Sequence, residues 1–218
     1  MKRFTLIVLA CLSGILVSAQ TKSFQVWTGI GVSYELSKKI SFDFETETRF
    51  QQASKTLKQA AVSVGARYAI TKPLYVGVSY EFADKYKKNG YFPVNTFVAN
   101  LGYKRKLGDF RLGVQTKLTI EKNSYIKNPE DIYPEWKQKN KIKLGYAKYK
   151  RIKPSIAVET YHPLEAGANY RISTVKYSAN CTLGFRKGID FTAGYMFRHE
   201  IDKCEYISIC TLGLSKSF

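Results

Sequence analysis

The segment Phe110-Arg111-Leu112-Gly113-Val114-Gln115-Thr116-Lys117-Leu118-Thr119-Ile120-Glu121 decides the fold. Phe110, Leu112, Val114, Thr116, Leu118 and Ile120 fall on one side, and Arg111, Gly113, Gln115, Lys117, Thr119 and Glu121 on the other. A helix would scatter these apolar groups around its whole circumference, whereas a strand puts them all on one face. The same period of two recurs on both sides of this segment. Upstream, Ile40, Phe42 and Phe44 oppose Asp43, Glu45, Glu47 and Arg49, and Val62, Val64, Ala66, Tyr68 and Ile70 oppose Ser63, Gly65 and Arg67. Leu74, Val76, Val78, Tyr80 and Phe82 oppose Gly77, Ser79 and Glu81, and Phe97, Ala99, Leu101 and Tyr103 oppose Asn100, Gly102 and Lys104. Downstream, Ile189, Phe191, Ala193, Tyr195 and Phe197 oppose Asp190, Thr192, Gly194 and Arg198. Eleven such segments, beginning with Trp27–Leu36, predict an all-β, antiparallel up-and-down β-barrel of 10–12 strands. Single-chain bacterial barrels normally have an even number. Either the first segment is not a full strand or two segments have been merged, with Tyr170–Arg186 the place where a merge would hide, and the parity stays open.

The ends of the chain supply an address. Met1-Lys2-Arg3, the apolar Phe4 to Val17 and the small residues Val17-Ser18-Ala19 read as a secretory signal over residues 1–19, leaving 20–218 as one barrel domain. A lipoprotein reading at Cys11 is a minor alternative, since Leu9 fits it poorly. No later segment approaches the roughly 20 apolar residues of a spanning helix, so a membrane passage must be made by strands. At the other end, Leu212-Gly213-Leu214-Ser215-Lys216-Ser217-Phe218 closes an alternating segment on an aromatic residue. A terminal Phe218 resembles the insertion signal that outer-membrane barrels present to the barrel-assembly machinery.

The chain is strongly basic, with 35 Lys and Arg against 17 Asp and Glu and a formal charge of +18. These charges are not gathered into one stripe or tail, and export argues further against nucleic acid. Outer-membrane lipids and lipopolysaccharide phosphates are the expected partners. Cys181, Cys204 and Cys210 are an odd set, too far apart on extended chain to bridge, and are expected as small apolar side chains without a disulfide.

Short turns are expected near Ser37-Lys38-Lys39, Thr71-Lys72-Pro73, Leu107-Gly108-Asp109, Ile152-Lys153-Pro154 and Lys187-Gly188. Longer polar loops are expected near Ala53–Lys58, Lys87–Pro93, Asn123–Glu135, Leu164–Ala168 and Ile201–Lys203. Short periplasmic turns and longer outer loops are the habit of outer-membrane barrels, and every short turn falls on the same side as Phe218. A soluble ligand-binding barrel would show the same alternation with its faces reversed. Three features favour the membrane: segments near the roughly 9–11 residues needed to cross it, aromatic residues such as Tyr68, Phe82, Tyr103 and Phe110 near segment ends, and a polar face rich in Gly.

The bore then carries both signs. Asp43, Glu45, Glu47, Glu81, Glu121 and Glu159 stand against Arg49, Arg67, Arg111, Lys117, Arg186 and Arg198, with Glu35, Asp190, Lys104 and Lys176 beside them. Charges enclosed in a narrow barrel must pair or stay hydrated, so ion pairs are expected to constrict or plug the interior. An early Trp27 is followed by Tyr34-Glu35-Leu36-Ser37, Glu45-Thr46-Glu47-Thr48-Arg49, Gly65-Ala66-Arg67-Tyr68, Gly77-Val78-Ser79-Tyr80 and Val158-Glu159. In these motifs the chain resembles the outer-membrane barrels grouped as domain of unknown function 2490. The resemblance implies the barrel architecture and no activity. The family's Arg-rich middle strands are replaced here by Lys137, Lys139, Lys141 and Lys143.

Candidate chemistry is sparse. His162 and His199 fall near the outer rim, where a lipid hydrolase would want a Ser–His–acid set. Glu159 or Glu165 could orient His162, Glu200 adjoins His199, and Ser173 or Ser208 could serve as nucleophile, but no nucleophile motif surrounds them. Two histidines without a Cys pair at ligand spacing make no metal site, and no glycine loop cradles phosphate, so no cofactor is expected. The row Lys137–Lys143 reads first as a partner for facing carboxylates, and second as a vestibule attracting small anions. Lys55, Lys58, Lys85, Lys87, Lys88, Lys122 and Lys127 are expected in the outer loops, bridging lipopolysaccharide phosphates. The leading expectation is a non-enzymatic outer-membrane barrel; an anion-selective channel and a lipid hydrolase are the alternatives.

Overall fold

The computed structural model describes residues 23–51, 56–87, 90–124, 133–149, 151–164 and 170–218. The expected signal peptide, and the tips of the connections at 52–55, 88–89, 125–132 and 165–169, lie outside the described residues. Eleven strands form one closed barrel. In chain order they are β1 (Ser23–Glu35), β2 (Ile40–Gln51), β3 (Thr56–Ala69), β4 (Leu74–Lys87), β5 (Gly90–Leu107), β6 (Phe110–Asn123), β7 (Glu135–Tyr146), β8 (Ile152–Pro163), β9 (Thr174–Gly184), β10 (Ile189–Glu200) and β11 (Glu205–Ser217). Each pairs antiparallel with its sequence neighbours.

The odd count is real, and it corrects both escapes offered by the sequence. β1 is a full 13-residue strand, and Tyr170–Arg186 contains only β9. The barrel therefore closes with a parallel pair, Ser23 opposite Ile207 through Ser33 opposite Ser217. Ser23 and Ser217 consequently sit at opposite ends of the cylinder. We call these the loop end, where β1 begins, and the turn end, where β11 finishes.

Two boundaries differ from the sequence reading. Ile152-Lys153-Pro154 is not a turn but the start of β8; the connection lies just before it. Lys87–Pro93 is not a long loop, because β4 and β5 stay paired to Lys87 opposite Gly90. In both places a proline marks a break in sequence but sits inside a strand. Pro93 and Pro154 each pair on one side only, one residue beyond the last pair with the other neighbour, Val94 with Asn123 and Ser155 with Gly145. The ladder is ending on that flank, where Pro93 still accepts from the Ser124 N–H through its carbonyl, so a missing N–H removes at most the terminal bond.

The alternation resolves into faces of opposite character. Ile30, Phe44, Val64, Val78, Phe97, Ile142 and Ile156 point outward, with Val78 61% exposed, while most charged residues of the same strands point into the bore; Lys58, Asp84 and Arg105, near the strand ends, share the outward face. Apolar exposure on this scale around a whole cylinder requires an apolar surrounding. Cys181 and Cys210 lie on strands, but Cys204 occupies a left-handed turn before β11 and is exposed, not a strand residue as expected.

Candidate functional site

Among the described residues the strands bring many ionisable groups together inside the bore, and its two halves differ. In the loop-end half, Trp27 of β1 packs against Ile207 and Ile209 of β11, with Met196 of β10 beside them; Ile209 is fully buried. The guanidinium of Arg49 lies 3.9 Å over the Trp27 ring, and Lys176 Nζ approaches the same ring at 5.3 Å. Lys176 also donates to the Tyr161 hydroxyl. Ala61, Ala83, Val94, Thr96 and Thr119 fill the facing wall and are all buried. Trp27, Tyr161, Met196, Ile207 and Ile209 were not singled out as bore residues from sequence. Their signal was a local loss of alternation, since Tyr206-Ile207 and Val26-Trp27 are apolar on both faces.

Toward the turn end the lining becomes bare. Gly29, Gly31, Gly65, Gly113 and Gly213 face inward in the middle and lower bore. The ring of Tyr75 fits by lying over Gly102, where any side chain would collide with it.

Of the candidate charges, Arg67 Nη2 donates to Asp43 at 2.8 Å, and Ser33 Oγ reaches the same carboxylate at 2.7 Å. Arg49 pairs with Glu47, and Arg198 with Glu200 at 2.9 Å. Glu121 accepts from Lys85 at 2.9 Å, and Lys141 forms an ion pair with Glu159 at 3.3 Å. Lys85 therefore points into the bore and is not an outer-loop cation. Glu45, Glu81, Arg111 and Lys117 form no ion pair among the described residues, although Glu45 and Lys117 lie within electrostatic reach across the bore. Arg186 is not a lumenal residue: it lies exposed on the 3-10 turn Arg186–Gly188, outside the wall. Lys153, first read as a turn residue, pairs inside with Asp190 at 3.2 Å.

The histidines stand outside the bore. His162 Nε2 meets Thr160 Oγ1 at 3.0 Å, and its ring stacks on Tyr170 at 4.4 Å. His199 stacks on Tyr206. Ser173 Oγ donates to the Tyr161 carbonyl, and Ser208 bonds Tyr195, so among the described residues neither serine meets a histidine. Among the described residues no group of His, Cys, Asp and Glu is arranged to hold a metal ion.

Strands of 11 to 18 residues, an apolar outer wall and an ionic interior define a transmembrane β-barrel. Within that class the chain belongs to DUF2490, a family of proteins of unknown function, whose model matches residues 24–203. β11 lies beyond the matched stretch. Solved structures with a similar chain path include the beta domain of the Bordetella autotransporter BrkA, at 10% identity and TM-score 0.44, covering 75% of this chain and 78% of that one. Another is a doubly substituted OccD1 (OprD), at 14% identity and TM-score 0.35, covering 75% of this chain and 46% of that one. No curated protein matches the sequence.

Proposed function

We propose that this is a non-enzymatic integral protein of the bacterial outer membrane, exported by residues 1–19, whose bore is shut near the loop end and open toward the periplasm at the turn end. The observation that carries this reading is the packing of Trp27, Ile207, Ile209 and Met196 inside the bore, capped by the Arg49 guanidinium. An eight-stranded barrel is filled by its own side chains, and eleven strands give more room, so bulky groups are needed to obstruct it. The orientation follows from the longer connections, at 124–134 and 164–173, sharing one end while Phe218 lies at the other. In this reading Phe218, whose backbone pairs with Ser33 and Glu35 at the seam, is the contact for the barrel-assembly machinery. Lysines such as Lys58 and Lys122 meet lipopolysaccharide.

Planar-bilayer recording tests the obstruction. The protein should give no large stepwise conductance, while the double variant W27A/I209A, checked for barrel closure by heat-dependent gel mobility, should open the bore to measurable steps. Large, stable openings in the unaltered protein would overturn the reading.

A second reading, a channel selective for small anions, is favoured by the excess of lumenal lysine on β7. Small openings with an anion-preferring reversal potential would promote it. The lipid-hydrolase alternative draws no support from the placement of His162 and His199.

A further inference from the structure

At the turn end of the bore three cations surround a bare floor. Gly113 of β6 is directly opposite Lys104 of β5 on one side and Lys143 of β7 on the other. One inward position nearer the mouth, Arg111 is opposite Gly145. A side chain at Gly113 would meet nothing nearer than the lysine methylenes, at 3.8 and 3.9 Å, so the backbone between the two lysines is open. Lys104, Arg111 and Lys143 are exposed to the bore and have no ion-pair partner among the described residues. They also feel one another: Lys104 lies within electrostatic reach of both Lys143 and Arg111. Asp43, the acid in reach of Lys104, is already engaged by Arg67.

Three like charges gathered inside a barrel repel one another, and a fold gains nothing from that arrangement unless something negative joins them. The rest of the bore shows what ordinary neutralisation looks like. Lys85, Lys141 and Lys153 each meet a carboxylate at 2.9 to 3.3 Å. The cluster at Gly113 lacks that complement. Its geometry suits a ligand with several oxygens on one centre: two ammonium groups across a glycine floor, and a planar guanidinium beside them able to grip two oxygens at once. Packing at Trp27 blocks approach from the loop end, so the ligand comes through the turn end.

We propose that Lys104, Lys143 and Arg111 form a binding site for a phosphate-type oxyanion, free or carried as a phosphomonoester, entering from the periplasmic side. The site lies within the bore of the preceding reading but is measured without ion flow. A barrel that conducts yet binds phosphate would therefore sink only that reading, and a silent barrel that ignores phosphate only this one.

The test is calorimetric titration of the purified barrel in zwitterionic detergent with inorganic phosphate, and separately with glycerol 1-phosphate, at constant ionic strength. Saturable binding is expected, weakened about tenfold or more in K104Q/K143Q and unchanged in K72Q, a cation on the neighbouring turn outside the bore. G113L keeps every charge but fills the floor and should lose binding as well; it carries the test if the double variant does not close into a barrel. Binding of the phosphomonoester but not of free phosphate would identify a carried phosphate as the ligand, and the converse a free one; either outcome supports the site. Absence of saturable binding, equal affinity in K104Q/K143Q or G113L, or an equal loss in K72Q would overturn it.

Discussion

Asp43 is the inner-face residue with the most to hold. Its carboxylate is gripped by Arg67 of β3 at 2.8 Å and by Ser33 of β1 at 2.7 Å, so one side chain of β2 ties three strands together. The guanidinium is 41% exposed and the carboxylate 21%, so solvent screens much of the Coulomb attraction. Asp43→Ala should therefore cost only about 1–2 kcal/mol, read as a lower urea midpoint for unfolding from detergent micelles. Asp43→Asn keeps an acceptor for Ser33 and should lose less; equal losses from both would show that the charge, not the hydrogen bond, supplies the hold. Tyr75 teaches a different lesson at this scale. Parity puts it inward beside Arg67 and Lys104, whose charged ends lie 5.4 and 4.9 Å from its ring. Nothing in strand β4 alone explains an aromatic there. The explanation is Gly102 on the next strand, and a pairing between residues 27 positions apart cannot be read before the register is known.

At the level of strands and turns, the sequence was most legible where water, lipid and backbone geometry all demanded the same thing. Period-two alternation located the strands because each wall residue must face either lipid or bore, with no third option. It failed where both faces are apolar, at the starts of β1 and β11, and those are the residues that fill the upper bore. Turn positions were readable from Gly and Lys, but not from Pro93 and Pro154, which lie inside strands where the ladder with one neighbour comes to its end. The tight turn into β10 shows the opposite case, where a single residue is indispensable. Gly188 has φ +73° and its missing side chain would press on the carbonyl of Ser217. Gly188→Ala should destabilise the barrel by about 1–3 kcal/mol, seen in the same urea titration. Gly145→Ala, at an inward strand position with ordinary contacts of 3.7 Å and beyond, should change it by less than half as much. An equal loss at both sites would refute the strain account.

Taken whole, the molecule is governed by its odd number of strands. Strand directions alternate around the barrel and meet in parallel at β1 and β11, which sends Ser23 and Phe218 to opposite faces of the membrane. With the loop end outward, as proposed, a short epitope inserted just ahead of Ser23 should be reached by antibody on intact cells, and one added after Phe218 only after the outer membrane is breached. Equal access to both, or the reverse order, would contradict the orientation. The parallel joint also gives the upper-bore packing a second duty. Parallel ladders bond on a slant and hold slightly less firmly per residue than antiparallel ones. Trp27 belongs to one side of that joint and Ile207 and Ile209 to the other. The cluster packed around Trp27 thus also works as a clasp, greasing shut the one join in the cylinder whose backbone stitching is weakest.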